Sequence, residues 1–197
     1  MRDDTPYRER PASEIEHERK CMCSIFAAAP PVSFIYEAFG GIGKTAQVLA
    51  ELFPKVEVLS SETDAQCVKI YNDSRPTKRI SCIHTDAQTL LSGIRQPPNK
   101  WGASLDFNRF TLMDLEGRRE GKWKVDLIAA VMERKPAWIQ VTDSAIRYLH
   151  LNYERYGCKN TPKAYHTKLG HAFNKRWGLE LAAVNHYFAA SYLLLTR

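Results

Sequence analysis

Apolar, β-branched and aromatic residues gather in five short runs, at positions 32–36, 56–59, 79–83, 110–113 and 137–141. Between them, over 44–52, 65–71 and 125–134, apolar positions recur every three or four residues, the spacing of one helical face. Strands alternating with helices predict a mostly parallel sheet covered on both faces. Ahead of this alternation, residues 1 to about 12 read as a disordered tail. A helix is expected from 12 to about 29, capped at Ser13 and closed by Pro30 and Pro31. Beyond it, helices are expected at 144–156 and 162–177, stopped by Gly157 and Gly178. Strands at 179–184 and 188–196 form an antiparallel hairpin about Asn185 and His186. The stretch 92–108, with Gly93, Pro97, Pro98 and Gly102, is expected as a surface insertion. The pattern predicts one α/β domain over 31–197, a doubly wound, mostly parallel seven-stranded sheet ending in an antiparallel hairpin.

The segment FIYEAFGGIGKTAQVLAELF at 34–53 reads as strand, glycine loop and helix. Gly40, Gly41 and Gly43 let backbone approach a ligand at a helix N-terminus. One reading is a phosphate-binding loop, with Gly43-Lys44-Thr45 as its end and FTLMDLE at 110–116 as the strand that would carry the metal-holding acid. Against it, Glu37 would sit beside a triphosphate. A dinucleotide fold, with Gly41, Gly43, Ala46 and Glu62, leaves no second domain for a hydride acceptor.

A third reading accounts for the acids as well. Glu37 ends the first strand, Glu62 follows the second, Asp86 follows the third, and Asp114 ends the run expected as the fourth. Ligands of open α/β sheets bind beyond the carboxyl ends of the strands, so the four acids are expected to line one crevice. Such a crevice suits S-adenosylmethionine, which has a cationic ammonium and sulfonium, a ribose diol and an adenine amine.

On EAFGGIG, SSETD, TDAQTLL and FTLMDLEG, the chain resembles class I S-adenosylmethionine-dependent methyltransferases over about 31–197. The resemblance implies the Rossmann-like fold of that family. It also implies Glu37 near the methionine ammonium, the backbone of Phe39, Gly40, Gly41 and Gly43 around methionine and ribose, Glu62 on the ribose hydroxyls, and Asp86 with Ala87 beside adenine. The C-terminal half is faintly similar to the catalytic domain of tRNA guanine-N2 dimethyltransferases in TDAQTLL, MDLEG, IQVTDSA, YERYG and NHYF. The proline that follows the fourth-motif acid there is absent here, and Glu116 stands for an aspartate.

Methyl transfer to an exocyclic amine needs an acceptor for the N–H. Asp114 is the first candidate and Glu116 the second. The next segment, GRREGKWKVD at 117–126, interleaves Arg118, Arg119, Lys122 and Lys124 with Trp123, a pattern that fits tracking a nucleic-acid backbone and stacking a base. Phe39, Trp101 and Trp123 are the candidate stacking rings.

Charge points the same way. Fourteen basic residues face sixteen acidic ones up to position 117, and fourteen face six beyond it, although the chain as a whole carries only +6. The basic half is expected on the acceptor side, with RNA or DNA, tRNA included, as the partner. No run is long and apolar enough to span a membrane, and five scattered cysteines with a charged N-terminus fit a cytoplasmic protein. The histidines show no ligand spacing, so no metal is expected. A homodimer, an accessory subunit and a catalytically inactive methyltransferase-like binding protein all stay open.

Overall fold

The structure, a computed structural model, describes residues 12–94, 100–107, 110–116, 121–143, 158, 162–187 and 190–197. Its strands are β1 (Phe34–Ala38), β2 (Glu57–Glu62), β3 (Ile80–His84), β4 (Trp101–Leu105), β5 (Trp138–Asp143), β6 (Glu180–Tyr187) and β7 (Ala190–Thr196). The described helices are α1 (Ala12–Ala27), α2 (Lys44–Leu52), α3 (Ala65–Ser74), α4 (Ala87–Gly93), α5 (Leu112–Leu115), α6 (Lys122–Glu133) and α7 (Pro162–Trp177). The sheet order is β3-β2-β1-β4-β5-β7-β6, with β1 to β5 parallel and β7 antiparallel to both neighbours. This is the expected doubly wound sheet with its terminal hairpin. The order in which strands are added reverses at β1, with β2 and β3 on one side and β4 and β5 on the other, and at such a switch point two strand tips open a crevice.

One expectation fails. The fourth strand is WGASL at 101–105, inside the stretch expected to be a surface insertion, and the run 110–113 forms no strand. Gly102 looks like a breaker in sequence, but it is a packing requirement. A Cβ there would lie 2.3 Å from the Trp138 ring on the paired strand β5. Leu112–Leu115 is instead a helical turn, because Asp114 folds back onto the Thr111 backbone.

The smaller differences are in boundaries. β1 to β3 and β5 extend toward their carboxyl ends, α1 stops at Ala27, and α6 starts earlier, at Lys122. β6 runs through Asn185 and His186 to Tyr187 rather than turning there. The helix expected at 144–156, and the tail at 1–11, lie outside the described residues.

Both faces of the sheet are apolar. On one face α1, α2 and α3 cover Ile35, Val58, Ile80, Trp138 and Leu194. On the other, α4 to α7 cover Tyr36, Ala103, Leu105, Ile139, Val141, Leu193 and Leu195. α1 is built into the first layer through Cys21, Met22, Ile25 and Phe26. Phe26 packs 5.9 Å from the Trp138 ring, whose indole N–H donates to the Pro30 carbonyl at 3.0 Å.

Candidate functional site

Every residue of β1 is buried, and its fourth is an acid. The Glu37 carboxyl, 1% exposed, accepts hydrogen bonds from the Ser60 hydroxyl on β2 and, at 3.0 Å, from the Tyr71 hydroxyl on α3. Burial raises it to about 7, against those two hydrogen bonds, and repulsion from Asp106 raises it further. The glycine loop lies over this cluster. A Cβ on Gly40 would come within 2.9 Å of Ser60 and 3.0 Å of the Tyr71 ring, and Gly43, at φ 86°, also rests on that ring. These two glycines therefore let the loop settle onto Tyr71. Phe39, just before them, holds a left-handed φ of 65°, rare for a bulky residue. Its ring is fixed 5.7 Å from Phe107 and 5.8 Å from Trp123.

The next two strand tips repeat an acid before a helix. Glu62 ends β2 and accepts backbone N–H groups from Gly41 at 3.1 Å, Thr63 at 2.7 Å and Asp64 at 3.1 Å, which ties the loop to the neighbouring strand. Asp86 caps α4, accepting from the Thr89 hydroxyl and the Thr89 N–H, and these bonds hold its carboxyl below the ordinary value. Ala87 is buried, and its carbonyl accepts the Tyr36 hydroxyl at 2.6 Å.

Asp106 stands directly after β4, across the switch point from Glu37. It is open to solvent yet crowded by the strand tips around it. Desolvation raises its carboxyl, a hydrogen bond from Thr142 opposes the shift, and repulsion from Glu18 on α1 adds to it. Phe107 beside it is fully buried and stacks on Phe110 at 5.4 Å. Trp123, at the start of α6, meets both Phe39 and Phe107 edge-on and keeps 50% of its surface exposed.

No family model matches the chain, and no curated protein is similar to it in sequence. Solved structures are similar in shape. Trm1 from Pyrococcus horikoshii, solved with S-adenosyl-L-methionine, superposes at a TM-score of 0.63 with 10% identity, over 100% of this chain and 57% of that one. The fibrillarin/Nop5p complex matches at 0.59 with 13% identity, over 98% and 90%. The plantazolicin methyltransferase BpumL, bound to an analogue and S-adenosylhomocysteine, matches at 0.58 with 8% identity, over 94% and 85%. The chain has the class I methyltransferase fold.

Within the methyltransferase fold, the acid at the fourth strand tip is Asp106, which the sequence reading missed. Its signal, an acid closing the apolar run ASL ahead of Phe107, is masked by the stronger apolar run at 110–113. Asp114 does not end a strand. It is 8% exposed and accepts the Thr111 backbone N–H at 2.6 Å and the Thr111 hydroxyl at 3.2 Å. It also pairs with the buried Lys124 at 3.6 Å, and a Cβ on Gly121 would collide with its carboxylate. Glu116 is exposed at the end of α5, lining a cavity with Ala172, Lys175 and Arg176 of α7.

The basic segment is divided in the same way. Lys124 is 7% exposed, so it presents no charge to a partner; Lys122 is exposed and pairs with Asp126 at 2.5 Å; Arg118 and Arg119 lie outside the described residues. Of the candidate stacking rings, Trp101 is buried in β4 and only Phe39 and Trp123 border the crevice. The phosphate-loop reading fails, because 110–116 is no strand and the Thr45 hydroxyl, which would ligate a metal, donates to Met22 Sδ at 3.7 Å on α1. Cys82 is buried in β3, and burial pushes its thiol up to about 12.

Proposed function

We propose that the chain is a cytoplasmic S-adenosylmethionine-dependent methyltransferase that modifies a nitrogen of a nucleic-acid base. The observation that carries this reading is the buried Glu37 beneath the glycine loop, with the exposed Asp106 directly after the neighbouring strand β4 and near enough that its charge raises the Glu37 carboxyl. A cation relieves such a pair and an anion aggravates it. The residues present therefore fit a ligand with an ammonium and a sulfonium. Glu37 and the loop at 39–43 would hold its methionine end, Glu62 the ribose hydroxyls, and Asp86 with Ala87 the adenine. Once bound there, the cofactor supplies an electrophilic methyl group.

The protein's part is alignment, exclusion of water and proton acceptance. Phe39 and Trp123 stand beside Asp106, backed by the buried Phe107. In place of Asp114, Asp106 is the proposed acceptor of the exocyclic N–H. Its hydrogen bond raises electron density on the nitrogen, and its raised pKa suits a group that takes the proton late. The half-exposed Trp123 offers a ring on which a base can stack, with Lys122 at the rim. BpumL shows that this fold also serves a plantazolicin acceptor, so the base reading rests on this chain's own charge and rings. Five free cysteines fit a reducing compartment.

Calorimetry with S-adenosylhomocysteine and with ATP tests the cofactor, and binding of ATP alone overturns it. Transfer of labelled methyl groups to bulk RNA or DNA tests the acceptor. Asp106→Asn should retain S-adenosylhomocysteine binding within about tenfold while lowering kcat at least ~100-fold. Label appearing only in small molecules would contradict the nucleic-acid reading.

A further inference from the structure

On the sheet face that α1, α2 and α3 cover, the rows of side chains change character toward the carboxyl ends of the strands. Val58, Ile35, Gly102 and Trp138 are register partners on β2, β1, β4 and β5, a row without a polar side-chain group in contact with water. Two residues further along the same strands, and so on the same face, the row is Ser60, Glu37, Ser104 and Gln140, each at most 2% exposed. Replacing both partners of a buried hydrogen bond by apolar groups of the same shape costs a fold little, so packing alone does not call for this row.

The row is hydrogen-bonded in two halves, and each half ends on a carboxyl. On one side Ser60 and Tyr71 donate to Glu37. On the other, the Ser104 hydroxyl donates to Gln140 Oε1 at 2.8 Å, and Gln140 Nε2 donates to the buried Thr142 hydroxyl at 3.0 Å. The Thr142 oxygen thus accepts from Gln140, and its one proton goes to Asp106. Desolvation raises the Asp106 carboxyl, the Thr142 bond opposes that rise, and Glu18 of α1 adds to it, while Asp106 raises Glu37 of β1 in turn. Among these acids Thr142 is the group that favours an Asp106 able to accept, and a carboxylate that accepts from Thr142 keeps lone pairs for a second donor.

We propose that Thr142 and Gln140 are positioning residues that keep Asp106 a hydrogen-bond acceptor for the substrate, so that the methylated nitrogen is one that carries a hydrogen, an exocyclic amine and not a bare ring nitrogen. As that nitrogen bonds the methyl carbon, the carbon–sulfur bond breaks, its electron pair stays on sulfur, and the amine proton passes to Asp106. The inference rests on the methyltransferase reading above. Its main test needs no turnover, so its failure is distinct from failure of the cofactor reading, which the calorimetry decides.

Carbon NMR of the protein labelled at its aspartate carboxyls reads the protonation midpoint of Asp106, whose signal is the one lost in Asp106→Asn. Thr142→Val keeps the shape and removes the hydroxyl. It should raise that midpoint by about one pH unit and leave S-adenosylhomocysteine binding unchanged, and Thr142→Ser should restore the wild-type value. Gln140→Met should raise the midpoint in the wild-type background and have no effect beside Thr142→Val, because its influence runs through that hydroxyl. A midpoint unmoved by Thr142→Val, or moved equally by Gln140→Met in both backgrounds, overturns the proposal. In the unaltered protein the Gln140 side-chain amide signal should follow the Asp106 titration, and in Asp106→Asn that response should vanish. An amide that ignores the titration, or responds as strongly in Asp106→Asn, overturns the proposal even if the other variants fail to fold. Nucleosides digested from methylated RNA or DNA should carry the label on an exocyclic amine, and label on a ring nitrogen overturns it too.

Discussion

Glu37 combines complete burial with a carboxyl raised to about 7 from an ordinary 4.5. The folded state therefore holds a proton that the unfolded chain has already released between those values. Stability is fully present below about 4.5 and declines as pH rises through 7. Thermal melts from pH 5 to 8 should show this decline in the wild type and flatten in Glu37→Gln, whose amide oxygen can still accept from Ser60 and Tyr71. A wild-type melting temperature that climbs over the same range would contradict the assignment. Asp114 has a different kind of importance. Asp114→Asn removes the ion pair with the buried Lys124 and should destabilise the fold by on the order of 3 kcal/mol in urea denaturation. Glu37, Glu62 and Asp86 were legible because each lies within a few residues of a strand whose pattern is plain. Asp106 was not, because its role depends on which strand it ends.

At the scale of elements, β4 shows how a central strand escapes a reading by periodicity. WGASL is buried at all five positions and flanked by strands on both sides, so nothing in it alternates, and its glycine imitates a break. Gly102→Ala drives a methyl group into the Trp138 ring and should cost about 3 kcal/mol, read as a lower urea midpoint at unchanged slope. α1 was legible as a helix but not as a layer of the core. Phe26→Ala opens a cavity against Trp138 and should destabilise by about 3–5 kcal/mol. A cost near zero would mean that α1 merely rests on the sheet.

For the molecule as a whole, a ligand held only by the folded sheet raises stability by mass action. S-adenosylhomocysteine at a hundred times its Kd should add about 2.7 kcal/mol and raise the melting temperature, and ATP should not. The order β3-β2-β1-β4-β5-β7-β6 makes that binding depend on the intact sheet, because β1 and β4 meet only after β2 and β3 have been laid down on the other side. The sequence by itself determined the α/β class, the closing hairpin, the glycine loop and three of the strand-tip acids. All of these are local, since a period of two or 3.6, a cap or a run of glycines is set by neighbours in the chain. Only the tertiary structure decided that Gly40 and Gly43 rest on Tyr71, that Asp114 belongs to a helix cap with Lys124, and that Asp106, two residues past the β4 partner of Glu37, shares its switch point. Each of these facts joins positions brought together by strand pairing and helix packing, and no local pattern encodes which distant partner a side chain will meet.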